Sequence, residues 1–94
     1  MQFMVLLTRD PDKPAAPPSL QEQEFETVRG FYKDGLLRQV WYRGDTRGAC
    51  MIWEAASPEE VAAKLSSLPL MRAGFLQAPM IVPLNAYPGF GPRA

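Results

Sequence analysis

The chain has no histidine among its 94 residues. Histidine is the side chain whose ordinary pKa lies near neutrality, so imidazole acid–base chemistry and imidazole-ligated metal sites are excluded. There is one cysteine, Cys50, which excludes an intrachain disulfide. It reads as a small buried hydrophobe. One thiol and scattered carboxylates offer no metal site, and no cofactor is expected. Neither sign of charge is in excess, since Lys plus Arg and Asp plus Glu both total 10. Such a chain lacks the clustered basic surface that holds a phosphate backbone, so nucleic acid is not an expected partner. No apolar run approaches the roughly 20 residues that a membrane span needs. Phe3-Met4-Val5-Leu6-Leu7 has no basic flank of the kind a signal peptide carries. A cytoplasmic location is the expectation.

What is present is apolar surface. Hydrophobic residues make up 47% of the chain. With no net charge to oppose association, there is a reason to bury part of that surface between copies. The length fits one domain, residues 1–94, with one core but no large internal cavity. A pocket for a metabolite then needs walls shared with a partner chain.

Gln2 to Thr8 reads as a strand that is apolar on both faces, with Phe3, Val5 and Leu7 alternating with Met4 and Leu6. Four prolines between residues 9 and 18 mark a stiff loop. Ser19-Leu20-Gln21-Glu22 fits a capping box that opens a helix. That helix runs to about Asp34, where Gly35 supplies the stop. Leu20, Phe25, Val28, Phe31 and Tyr32 share its apolar face. Leu36 to Arg43 is a second strand. Leu37, Gln39, Trp41 and Arg43 alternate there with Leu36, Arg38, Val40 and Tyr42. Gly44 to Gly48 is a hairpin turn, and Ala49 to Ala55 returns as a third strand. Ser57-Pro58-Glu59-Glu60 starts a second helix, with Val61, Ala62, Leu65 and Leu68 inward and Pro69 as its end. Met71 to Phe75 is irregular. Met80 to Leu84, interrupted by Pro83, suits an edge strand. The apolar tail, residues 86–94, is expected to dock on a neighbouring subunit.

This order, βαββαβ, predicts an α+β fold of the ferredoxin-like kind, with an antiparallel sheet and both helices on one face. Strands apolar on both faces imply that the second face packs on another sheet. Two such subunits make a dimeric α+β barrel, and larger homo-oligomers follow from dimers.

Glu24 interrupts the apolar face of the first helix, four residues before Val28 and seven before Phe31. It either snorkels to water or pairs with an arginine, or it faces a pocket as a desolvated carboxylate with base character.

Other residues carry a family resemblance. Phe3 and Thr8 of the first strand, the run Gly35-Leu36-Leu37-Arg38-Gln39-Val40-Trp41, the run Leu65-Ser66-Ser67-Leu68-Pro69-Leu70 and Pro88 resemble muconolactone isomerase over nearly the whole chain. The resemblance implies a cofactor-free isomerase of aromatic-acid breakdown that moves a proton and a double bond in a small lactone carboxylate. Glu24 and Arg38 fall where the family has a helix glutamate and a strand arginine. Gln39 and Tyr87 stand where the family carries histidines, and Tyr42 where it has a second basic residue. The segment after Leu70 is a few residues longer.

Proton transfer next to a carbonyl needs a base and a stabiliser for the enolate. Glu24 is the expected base and Tyr42 the expected oxyanion donor. Arg38 or Arg43 would hold the carboxylate of an anionic lactone or aromatic-derived acid. Trp41, Trp53 and Glu54 are candidates for the pocket wall. The structural counterparts of these roles are an Arg38–Glu54 cross-strand pair and two core tryptophans. A cofactor-independent monooxygenase of the same barrel class and a non-catalytic binding barrel are the alternative functions.

Overall fold

In the computed structural model the described residues, 1–89, form four strands and three helices. Strands β1 (Gln2–Thr8), β2 (Leu37–Tyr42), β3 (Gly48–Glu54) and β4 (Met80–Leu84) make one antiparallel sheet in the order β2-β3-β1-β4. Helices α1 (Pro18–Lys33) and α2 (Pro58–Leu65) lie on one face, and α3 (Pro69–Arg72) is a single added turn. The βαββαβ order and the antiparallel sheet are those expected from the sequence, with α3 as an addition. Among the described residues no helix is long and apolar enough to cross a membrane. Residues 90–94, the end of the tail expected to dock, lie outside the described residues.

The core follows from the alternation of β1. Phe3, Val5 and Leu7 are buried against the helices, and directly opposite them stand Trp53, Met51 and Ala49 of β3. Val28 and Phe31 of α1 pack on this layer, as do Val61 and Leu65 of α2. Met4, Leu6, Cys50 and Ile52 point to the other face and are only partly buried.

Several local expectations are corrected. Ser19 does not cap α1. The helix starts one residue earlier, with Pro17 at the cap and Pro18 in the first turn, and no side chain caps it. Proline at that point needs no partner for a missing N–H, so the turn closes without the box. Phe25 and Tyr32 lie on the exposed rims of the apolar face of α1, and Glu24, Val28 and Phe31 are its inner line. The end of α1 is as expected: with Gly35 at φ +82°, the Leu36 amide donates to the Phe31 carbonyl at 3.1 Å. Ser57 caps α2 as expected and accepts from the Glu60 amide at 3.2 Å. Ala62, however, is exposed. Pro69 opens α3 rather than closing α2, so part of the stretch expected to be irregular is helical.

Strand β2 departs most. Its register slips between Leu37, opposite Trp53, and Gln39, opposite Ile52. Arg38 is the extra residue of a β-bulge. The bulge breaks the strict alternation and puts Leu37, Val40 and Tyr42 on the helix-covered face together. Because β2 is an edge strand reaching past its helical cover, Tyr42 remains 79% exposed and Trp41 52% exposed.

Gly48 lies where β3 meets the end of β1. At φ +155°, a Cβ there would stand 2.0 Å from the Leu7 carbonyl oxygen. Gly48→Ala is therefore expected to cost roughly 1–3 kcal/mol in backbone strain. Thermal unfolding checks it, and an unchanged Tm would mean that the two strands part freely there.

Candidate active site

The helix-covered face of the sheet is not fully covered. Beyond the core, Leu7, Val40, Tyr42, Ala49 and Met51 form the floor of a cleft of about 730 Å³. Gln21, Glu24, Phe25 and Val28 recur at helical spacing along α1 and form one wall. Leu70 of α3 and Leu76 line it further, and Arg9, Arg29, Arg43 and Arg47 stand around it.

Glu24 is the acidic side chain that lines this cleft, and it is 7% exposed. Its Oε1 accepts the Leu70 amide at 3.0 Å. Leu70 follows Pro69, which has no N–H of its own, so this amide is an early free donor of α3. Burial pushes the Glu24 carboxyl above its ordinary value of 4.5, while the Leu70 amide and the charge of Arg9 pull it back in part. Among the described residues Glu24 neither snorkels to water nor forms an ion pair with an arginine: one oxygen accepts a backbone amide, and the residue lines the cleft.

The loop after α3 builds the arginine side. With Gly74 at φ +82°, the Phe75 amide donates to the Leu70 carbonyl at 2.9 Å. The chain then runs back along the end of β1. The Asp10 amide donates to the Phe75 carbonyl and the Gln77 amide to the Thr8 carbonyl, each at 2.9 Å. Arg9 is held between these two bonds, with its guanidinium 5.5 Å from the centre of the Phe75 ring. Its backbone N–H donates to the Arg47 carbonyl at 2.9 Å, which ties it to the hairpin between β2 and β3.

The sequence-derived candidates divide. Glu24, Trp41, Tyr42 and Arg43 line the cleft. Arg43 has its donors engaged: Nε and one terminal nitrogen donate to Asp45 at 2.9 and 2.7 Å, and the other donates to the Thr8 hydroxyl at 2.8 Å. This fork holds the Asp45 carboxyl below its ordinary range. Arg38 lies elsewhere. The bulge sends it to a hollow lined by Tyr32, Lys33, Gly35 and Leu37. Trp53 is fully buried and is core rather than cleft wall. Its ring packs on Phe31 with centroids 5.2 Å apart, and its N–H donates to Met51 Sδ at 3.4 Å. Glu54 pairs with the Met1 amino group, which lowers its pKa, and it forms no ion pair with Arg38. Arg9, Arg29 and Arg47 are cleft residues that the sequence pattern did not single out. Strand order held the clue for two of them: β3 runs antiparallel beside β1, so Arg9 and the turn carrying Arg47 meet at one sheet end.

A four-stranded antiparallel sheet with both helices on one face defines a ferredoxin-like α+β protein, and the cleft they leave is lined by a buried carboxylate and by arginines. Residues 1–89 match the muconolactone delta-isomerase family, and the chain belongs to it. Among solved structures, a muconolactone isomerase is 22% identical with a TM-score of 0.74, covering 94% of this chain and 92% of its own. The 5-chloro-2-hydroxyhydroquinone dehydrochlorinase of Burkholderia phenoliruptrix, in complex with 2,5-dihydroxybenzoquinone, is 18% identical with a TM-score of 0.67, covering 95% and 98%. At these identities the likeness concerns the fold. No curated protein matches the sequence.

Proposed function

We propose that this protein is a cofactor-free isomerase that shifts a proton and a double bond in a small unsaturated lactone carboxylate, within aromatic-compound breakdown in the cytoplasm. One observation carries the reading: Glu24 is a buried carboxylate with an upward-shifted pKa, and it lines a cleft that also holds four arginines. A carboxylate in that state is a stronger base than one in water, and it stands where a ligand can reach it. In the proposed reaction Glu24 takes a proton from the ring carbon at the far end of the conjugated double bond, γ to the lactone carbonyl. Tyr42 donates to the oxygen of the resulting dienolate. Glu24, whose proton exchanges with solvent, then delivers a proton to the carbon next to the carbonyl, so bonds and charge balance without an oxidant. Family membership supports this chemistry.

The test is an ultraviolet assay of muconolactone in water and in deuterium oxide. Turnover with solvent deuterium at the protonated carbon is the expected result. A protein that binds muconolactone and leaves it unchanged would sink the isomerase and favour a binding barrel.

The working unit is proposed to be at least a dimer. Leu6, Cys50, Ile52 and Val82 form an apolar strip on the sheet face opposite the helices, flanked by exposed Met80 and Leu84. A second copy laid face to face on it would close the barrel. Ile52→Glu is expected to convert the wild-type dimer or higher oligomer to a monomer in sedimentation velocity. A wild type that sediments as a monomer at micromolar concentration would rule the barrel out.

A further inference from the structure

We propose that Arg9 is the residue that holds the anionic end of the ligand, and that the group it takes is a compact carboxylate. This rests on the cleft being the ligand site, as in the function proposed above. Three observations lead to it.

The first is an orphan donor. Arg9 Nε is buried and has no hydrogen-bond partner among the described residues. A buried guanidinium N–H without an acceptor is unfavourable, and few folds keep one without a use for it. The second is position. Arg9 lines the same cleft as Glu24, and the two feel each other's charge without forming an ion pair. The cleft thus carries an acid and a cation that are not paired with each other. The third is rigidity. The Phe75 ring lies beside the guanidinium, and the paired strand end holds the backbone on both sides. A guanidinium held this way loses little freedom on binding, and its planar set of donors matches the two oxygens of a carboxylate.

Three other arginines are poorer candidates. Arg43 is committed to Asp45 and Thr8, and Arg38 lies outside the cleft. Arg29 pairs with Glu26 on the exposed side of α1.

The experiment is calorimetric titration of benzoate and of its uncharged counterpart benzamide into wild type, Arg9→Gln, Arg9→Lys and Arg38→Gln, each checked for folding by circular dichroism. Arg9→Gln is expected to weaken benzoate roughly tenfold or more, the scale of one charge-assisted hydrogen bond, and to leave benzamide alone. Arg9→Lys, which keeps a charge but not the fork, should fall between the two and serves if the glutamine variant does not fold. Arg38→Gln should bind benzoate within about twofold of wild type, as expected for an exposed charge outside the site. Failure of wild type to bind benzoate, or equal losses at Arg9 and Arg38, overturns the proposal.

Muconolactone kinetics on the same proteins separate this inference from the catalytic one. Turnover whose KM is untouched by Arg9→Gln keeps the isomerase and discards the role of Arg9. Benzoate binding that needs Arg9, with no turnover, keeps Arg9 and discards the isomerase.

Discussion

Glu24→Gln is expected to lower kcat for muconolactone isomerisation by about 100-fold or more, the contribution of a positioned general base. The substitution is chosen for what it preserves. Glutamine is nearly the same size, and its amide oxygen can still accept the Leu70 N–H that Glu24 Oε1 accepts. The structural role of the residue survives and the proton acceptor is lost. Rates that match wild type would place the base elsewhere and leave Glu24 as a structural acceptor.

The same pair of proteins carries a pH signature. Burial raises the Glu24 pKa above 4.5, so the folded state binds this proton more tightly than the unfolded chain. Wild-type stability therefore falls as pH rises from the ordinary carboxyl value through the raised folded one, and levels off above it. Glu24→Gln has no such proton, so its stability relative to wild type should improve over that window. Urea unfolding at pH 4 and pH 8 measures the difference, and a pH-independent difference would show that Glu24 is not perturbed. In the wild type, kcat/KM should rise with pH over the same window, because only the carboxylate form is a base.

The second large effect is on stability. Trp53→Ala is expected to destabilise the protein by roughly 3–5 kcal/mol, the usual cost of truncating a buried aromatic. Small domains commonly have only about 5–15 kcal/mol in total, so the variant should be partly unfolded at physiological temperature. Trp53 is fully buried between the sheet and Phe31, with its N–H on the sulfur of Met51. Nothing in that position can touch a ligand in the cleft. Trp53→Phe, which keeps most of the packing, should fold and leave KM unchanged. A Trp53→Phe variant with wild-type stability and a KM raised tenfold would return Trp53 to the role of a ligand wall.

Glu24 and Arg38 show where sequence reasoning worked and where it failed. Glu24 was legible because helical periodicity is local: a carboxylate four residues from Val28 and seven from Phe31 must share their face. Arg38 was misplaced because strand periodicity is fragile. One bulged residue shifts the faces of all that follow, and nothing in Leu37-Arg38-Gln39 signals a bulge. Trp41 and Trp53 were indistinguishable by composition. Strand order parted them, with one on the outer strand and the other on an inner strand under α1.

The sequence by itself determined the order of elements, the antiparallel ferredoxin-like sheet, the end of α1 at Gly35, the cap of α2 at Ser57 and the inward aim of Glu24. The elements, the helix stop, the cap and the aim of Glu24 depend on residues within a few positions of one another, and the sheet follows from the order of the elements. The tertiary structure alone decided which cations share the cleft with Glu24. Arg9, Arg43 and Arg47 come from two chain segments that adjoin only when β1 pairs with β3. It also decided which donors remain unpaired, since Asp45 and Thr8 occupy Arg43 while Arg9 Nε has no acceptor among the described residues. Burial and hydrogen-bond pairing depend on contacts between distant parts of the chain, and spacing along one segment carries no record of them.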